Sequence, residues 1–214
     1  MRVLLALFIG YLLGSVLPAD LLGRSRGVDI RAVGTRNPGT TNALQQLGPI
    51  PGLITGVYDT SVGLVSMYVA SLLGISHGWT YLAGIAAVVG HVFPVFFVFR
   101  GGQGMAAATG MLVYGIVVAL AHGSLSAFGI AMLAALALAV FALTRSATVV
   151  CVVVTPLLEL ELLLARPEWR FMAFMTALAA LVWATQLGIA RSEHLVHLAE
   201  PVRVRFARSK APRR

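Results

Sequence analysis

Apolar runs of about 20 residues, the length a helix needs to cross ~30 Å of hydrocarbon, follow one another through this chain as far as Ala190. They fall at 3–22, 50–73, 78–99, 104–122, 125–143, 147–165 and 171–190. Backbone in lipid has to satisfy its own polar groups, so runs of this length read as helices. The fold class expected is an all-α integral membrane protein of about seven transmembrane helices. With 58% hydrophobic and 11% charged residues and a mean hydropathy of +0.88, the chain lies far from the roughly half-apolar, quarter-charged mix of soluble domains. Residues 1–190 are expected to form a single transmembrane domain and 191–214 a basic tail.

The first run resembles a secretion signal in length, but more apolar chain follows Gly14-Ser15 and then a basic loop, so it reads as a retained span. Cys151 is the single cysteine, which rules out an intrachain disulfide and a cysteine-rich metal site. Seven spans place the termini on opposite sides, and 13 of the 16 lysines and arginines then share one of them. The positive-inside rule makes that side cytoplasmic, with the N-terminus outside and the C-terminus inside. The basic tail reads as an anchor beside anionic headgroups; it has no nucleic-acid module, and no nucleic acid partner is expected.

Polar chemistry concentrates at three places on the expected cytoplasmic side. The first is Arg31 to Asn42, which holds Arg31, Arg36, Asn37, Gly39, Thr40 and Asn42. Gly34, Pro38 and Gly39 bend the chain so that successive N–H groups can face one anion, and arginine forks suit phosphate oxygens. A loop that only obeys the charge rule would look the same. The second is Arg100, Gly101, Gly102, Gln103 and Gly104, where a helix expected from Met105 offers its free N–H groups to an anion. Close helix packing also uses such glycines. The third follows the last span: Arg191, His194 and His197, with the histidines on one face if the helix continues. That pair lacks further ligands, so no metal is expected; an amphipathic surface helix is the plainer reading.

Ionisable groups at membrane depth are costly and face interiors, which selects Asp59 and His91 as supporting candidates. His91 also fits a plain interhelical hydrogen bond. Ser15 and Asp20 lie in the first run, and Thr148, at the start of the sixth span, fits a hydroxyl bonded to its own helix backbone.

In order and spacing these clusters resemble the PlsY-type acyl-phosphate glycerol-3-phosphate acyltransferases. Gly14-Ser15, Gly23-Arg24, Asp29-Ile30-Arg31 and Gly34 to Asn42 look like the family's first motif. His91 to Phe97 running into Arg100 to Gly104 looks like its second, and Asp59 with Gly63 matches its second-span pattern. The resemblance implies transfer of a fatty acyl group from acyl phosphate to the sn-1 hydroxyl of glycerol 3-phosphate, giving lysophosphatidic acid. It implies no cofactor, a monomer among membrane lipids, and a bacterial plasma membrane protein with its site facing the cytoplasm. Carried over by position, Ser15, Arg31, Thr148 and His194 form the catalytic set, with Arg31 holding the glycerol phosphate and Ser15 making a structural hydrogen bond or a substrate contact. Arg36, Asn37, Gly39, Thr40, Asn42, Arg100, Gly101, Gly102, Gln103 and Gly104 form the substrate- or phosphate-binding set, in which Asn37 and Asn42 shape the first loop and Gly101, Gly102 and Gly104 cradle phosphate, with Asp59, His91 and His197 in support.

The chain departs from the family pattern at Gln103 and Val62, where lysines are usual, at Arg36, where glycine is usual, and at Arg191, His194 and His197 in the third motif. A homologue that binds lipid or phosphometabolite without turnover is therefore the alternative to an enzyme. A small transporter is a third reading, favoured by the interior Asp59 and His91 but not by any visible inverted repeat.

Overall fold

The computed structural model describes residues 1–121, 123, 126–144, 147–165 and 168–185, and no strand occurs among them. In chain order the helices are α1 (Arg2–Gly14), α2 (Pro18–Ser25), α3 (Thr40–Leu47), α4 (Pro49–Leu72), α5 (His77–Val92), α6 (Met105–Ala121), α7 (Ala127–Thr144), α8 (Ala147–Ala165) and α9 (Trp169–Thr185). Among the described residues, four stretches are long and apolar enough to cross a membrane: Arg2–Ser25, Pro49–Leu72, Gly78–Phe97 and Ala127–Thr144. Helices α6 and α9 are shorter and also apolar.

The first apolar run, expected as one helix over 3–22, is two. Helix α1 closes at Gly14, Leu17 is extended at φ −114° and ψ 95°, and α2 opens on Pro18. Proline has no N–H to donate and drives the residue before it out of the helical region, which forces the break. The second half becomes a short helix that carries the buried Asp20.

Packing relies on small residues, as lipid gives helices no hydrophobic reason to associate. Gly10 and Gly14 of α1, one turn apart, lie against Ala83 and Ala87 of α5, so closely that a side chain at Gly10 would stand 2.5 Å from the Ala83 carbonyl. Met111 of α6 fills the space left by Gly63 of α4 and Gly84 of α5. The main core runs through these helices to α9, where the Tyr81 ring stacks on Phe174 with centroids 4.5 Å apart.

The outside is as apolar as the inside. Leu53 is 67% exposed, Phe128 77% and Leu143 85%, and α7 buries none of its residues. Such a surface suits hydrocarbon and would aggregate in water.

The two ends of α5 differ in chemistry. Near its start, Arg170 lies 5.5 Å from the Trp79 ring centroid and 5.4 Å from that of Trp169, an aromatic and cationic pair of the kind that marks a membrane interface. Beyond its other end lie two loops: 26–39, which is polar, and 93–104, which is apolar as far as Phe99 and then turns to the run 100–104.

Candidate functional site

Loop 26–39 is held from within. Asn42, in the first turn of α3 and 1% exposed, donates to the carbonyls of Ile30 (2.8 Å) and Val33 (3.2 Å) and accepts from the Thr35 N–H (3.0 Å). Both amide hydrogens and the carbonyl oxygen of Asn42 are bonded to backbone, so it shapes the loop. Gly34 has φ +56° beside the Asn42 and Gln46 side chains, where only glycine fits. Arg36 also adopts a left-handed φ of 60°, uncommon for a residue with a side chain.

Arg31 is anchored rather than free. Its Nε donates to Asp20 Oδ1 at 3.1 Å and its Nη2 to Asp20 Oδ2, a fork-on-carboxylate pair. The guanidinium also lies 5.9 Å from the Phe97 centroid, and that of Arg24 lies 5.3 Å from it. One buried ring thus holds two arginines at the edge of the first loop.

Loop 93–104 folds back on the end of α5. Ser15, fully buried, donates to the Tyr11 carbonyl (2.8 Å), and the Val95 N–H approaches its hydroxyl at 3.4 Å. The Tyr11 hydroxyl donates to the Phe93 carbonyl at 2.8 Å. Ser15 thus ties α1 to this loop. Gly102 donates its N–H to the His91 carbonyl at 3.1 Å, and a side chain there would stand 2.7 Å from His91 Nε2. Gly101 is pressed against the His91 and Val92 carbonyls. Helix α6 starts at Met105, where the sequence places it.

The two loops meet at a cavity of about 170 Å³ lined by Asn37, Gly39, Thr40, Thr41, Asp59, His91, Gln103, Gly104, Met105 and Ala106. The starts of α3 and α6 both border it, and the α3 start has no side-chain cap; the positive ends of two helix dipoles favour an anion there. Asp59 and His91 are its most buried polar lining, 1% and 2% exposed, with His91 Nδ1 3.7 Å from Asp59 Oδ1. Met105 also lines a second, apolar space between α6, α8 and α9, which includes Thr155 and Ala179. Those two residues also line an apolar groove of about 550 Å³ that reaches Trp183.

The cavity thus unites Asn37, Gly39, Thr40, Gln103 and Gly104 with Asp59 and His91, and adds Thr41, Met105 and Ala106. Arg31, Arg36, Arg100, Gly101 and Gly102 do not line it: Arg31 faces Asp20, and Arg36 and Arg100 are exposed. Thr148 is placed only by its position on α8, and Arg191, His194 and His197 lie outside the described residues. Sequence reasoning gave no role to Phe97 or Asp20; both stand within or beside the motif runs, but a ring shared by two arginines is a tertiary fact.

Residues 4–193 match the family model described as glycerol-3-phosphate acyltransferase. Glycerol-3-phosphate acyltransferase 1 of Deinococcus radiodurans is 38% identical over 189 residues, which cover 88% of this chain and 90% of that protein. The glycerol-3-phosphate acyltransferase of Pseudomonas paraeruginosa is 37% identical over 176 residues, 82% of this chain and 87% of its own. The crystal structure of PlsY (YgiH), an integral membrane glycerol 3-phosphate acyltransferase in its glycerol 3-phosphate form, aligns with a TM-score of 0.69 at 27% identity, covering 89% of this chain and 91% of that one.

Proposed function

The chain belongs to the glycerol-3-phosphate acyltransferase family, and from that premise we propose how its site works. It is a membrane glycerol-3-phosphate acyltransferase. The donor in this reading is acyl phosphate, the acceptor atom is the sn-1 hydroxyl of glycerol 3-phosphate, and the product is lysophosphatidic acid. Seven spans, with the N-terminus outside and the polar loops on the cytoplasmic face of a bacterial plasma membrane, complete it, for a protein acting as a monomer.

The observation that carries this reading is the convergence of both loops, and two helix starts, on one cavity that shares Met105 with an apolar space between α6, α8 and α9. A phosphate-bearing acceptor suits the first and an acyl chain the second. The alcohol oxygen attacks the acyl carbonyl carbon, the carbon–oxygen bond to phosphate breaks, and the hydroxyl proton leaves with the phosphate. A mixed anhydride is already activated, so the chain needs no nucleophile of its own. Its residues bind and orient the two substrates, and the N–H groups at the starts of α3 and α6 stabilise negative charge as it develops. Arg31, with Arg36 and Arg100 nearby in sequence to the two loops, supplies cationic attraction for incoming phosphate.

Purified protein in lipid, given radiolabelled glycerol 3-phosphate with palmitoyl phosphate or palmitoyl-CoA, tests the reading. Lysophosphatidate from palmitoyl phosphate alone is the expected result. Folded protein that binds glycerol 3-phosphate but forms no product from either donor overturns it in favour of a binding homologue, the role that the loss of lysine at Gln103 would then explain.

A further inference from the structure

Four buried polar atoms around the cavity have no hydrogen-bond partner: both carboxyl oxygens of Asp59, His91 Nδ1 and Thr40 Oγ1. Native proteins rarely leave such atoms unsatisfied, and the cavity is far larger than the ~15 Å³ that one water requires. A ligand that contacts these atoms needs groups that both donate and accept.

Phosphate does not meet that need. It offers acceptors, while Asp59 presents two acceptor oxygens when ionised. The Asp59 and His91 pair has no net positive charge unless it takes up two protons, and no lysine or arginine lines the cavity among the described residues. The anion-favouring elements are elsewhere, at the starts of α3 and α6. Hydroxyl groups fit the buried part: each can donate to Asp59 while accepting from Thr40 or from His91.

We propose that Asp59 and His91 read the hydroxyl-bearing end of the acceptor and so set which polyol phosphate is acylated, with the phosphate held toward the helix starts. This rests on the acyltransferase reading and adds two specificity-determining residues. His91 is suited to the task, since Gly102 has no side chain to crowd its Nε2 and ties its carbonyl, while its Nδ1 faces Asp59.

The test compares glycerol 3-phosphate with 3-hydroxypropyl phosphate, which lacks the secondary hydroxyl. Affinity for each is measured in lipid nanodiscs, and kcat/KM for each is measured with palmitoyl phosphate. The wild-type protein is expected to prefer glycerol 3-phosphate by ~100-fold or more, because a site built around a hydroxyl rejects the analogue that lacks it. Asp59→Asn and His91→Gln are each expected to reduce that preference at least ~10-fold. A residue that only supports the fold would weaken both ligands alike and leave the ratio unchanged, so an unchanged ratio overturns the proposal, as does a wild-type protein that does not discriminate. Where the Asp59 variant does not fold, Thr40→Val keeps the side chain's shape and is judged by the same ratio. Discrimination in binding without turnover would count against the acyltransferase reading and leave this one standing.

Discussion

Arg31, in the loop that follows α2, meets Asp20 in the first turn of that helix, its Nε 3.1 Å from one carboxylate oxygen and its Nη2 on the other. The break between α1 and α2 exists because Pro18 cannot continue α1, and α2 then presents Asp20, 3% exposed, in its first turn. Two of the three guanidinium nitrogens are committed to the carboxylate, so the orientation of Arg31 is fixed before any ligand arrives. Asp20→Asn keeps the shape but loses the charge. It is expected to raise KM for glycerol 3-phosphate ~10-fold with a smaller change in kcat, since charge-assisted bonds are about twice as strong as neutral ones. Steady-state kinetics in liposomes decide it; an unchanged KM would mean that Arg31 does not act on the acceptor.

Phe97 carries Arg31 on the same ring as Arg24. Replacing the ring with leucine keeps apolar bulk and removes the quadrupole, worth ~1 kcal/mol, or about fivefold. Phe97→Leu is expected to raise KM by that factor and Phe97→Tyr to restore it. If tyrosine and leucine behave alike, the ring acts through bulk alone.

Arg36 holds φ 60° with a full side chain and is exposed. That conformation costs ~1 kcal/mol, which glycine does not incur. Arg36→Gly is expected to raise Tm by about 2–4 °C and, having lost a cation near the first loop, to raise KM for glycerol 3-phosphate. A rise in Tm with no change in KM would confine Arg36 to the backbone.

Much of this arrangement is visible in the residue order. Each apolar run contains helix where its residues are described, broken at 15–17 in the first run and given up after Val92 in the third, and Gly101, Gly102 and Gly104 with a helix from Met105 follow from local chain chemistry. Pro18 carried the signal for the break, but a run apolar on both sides of it masked that signal. A structural bond or substrate contact for Ser15 and a loop-shaping role for Asn42 follow from the motif they match, but their partners were not legible, because a hydroxyl or amide has the same local appearance whichever carbonyl it meets, even one 12 residues away, as Asn42 does at Ile30. The pairing of Asp59 with His91 was half visible. Each was marked by its depth, whereas their 3.7 Å approach depends on how α4 and α5 pack.

Gln103 allows the most direct test of how the site tolerates its lost cation. It lines the cavity with Asp59 and His91, where an ammonium group would meet either a phosphate or the Asp59 carboxyl. If phosphate leaves past the start of α6, Gln103→Lys places a positive charge where negative charge develops, and one such donor is worth ~100-fold or more in rate in other acyl-transfer sites. A lysine drawn instead to Asp59 would form a buried pair whose attraction is largely offset by desolvation, and would take Asp59 away from the acceptor's hydroxyl. The expected outcome combines the two: kcat with palmitoyl phosphate rises ~10-fold or more, while preference for glycerol 3-phosphate over 3-hydroxypropyl phosphate is retained. A rise in kcat with loss of that preference would place the new ammonium on Asp59 as well as near phosphate. No rise at all would show that the leaving phosphate does not pass residue 103, and would move the anion site toward Arg100 and the first loop.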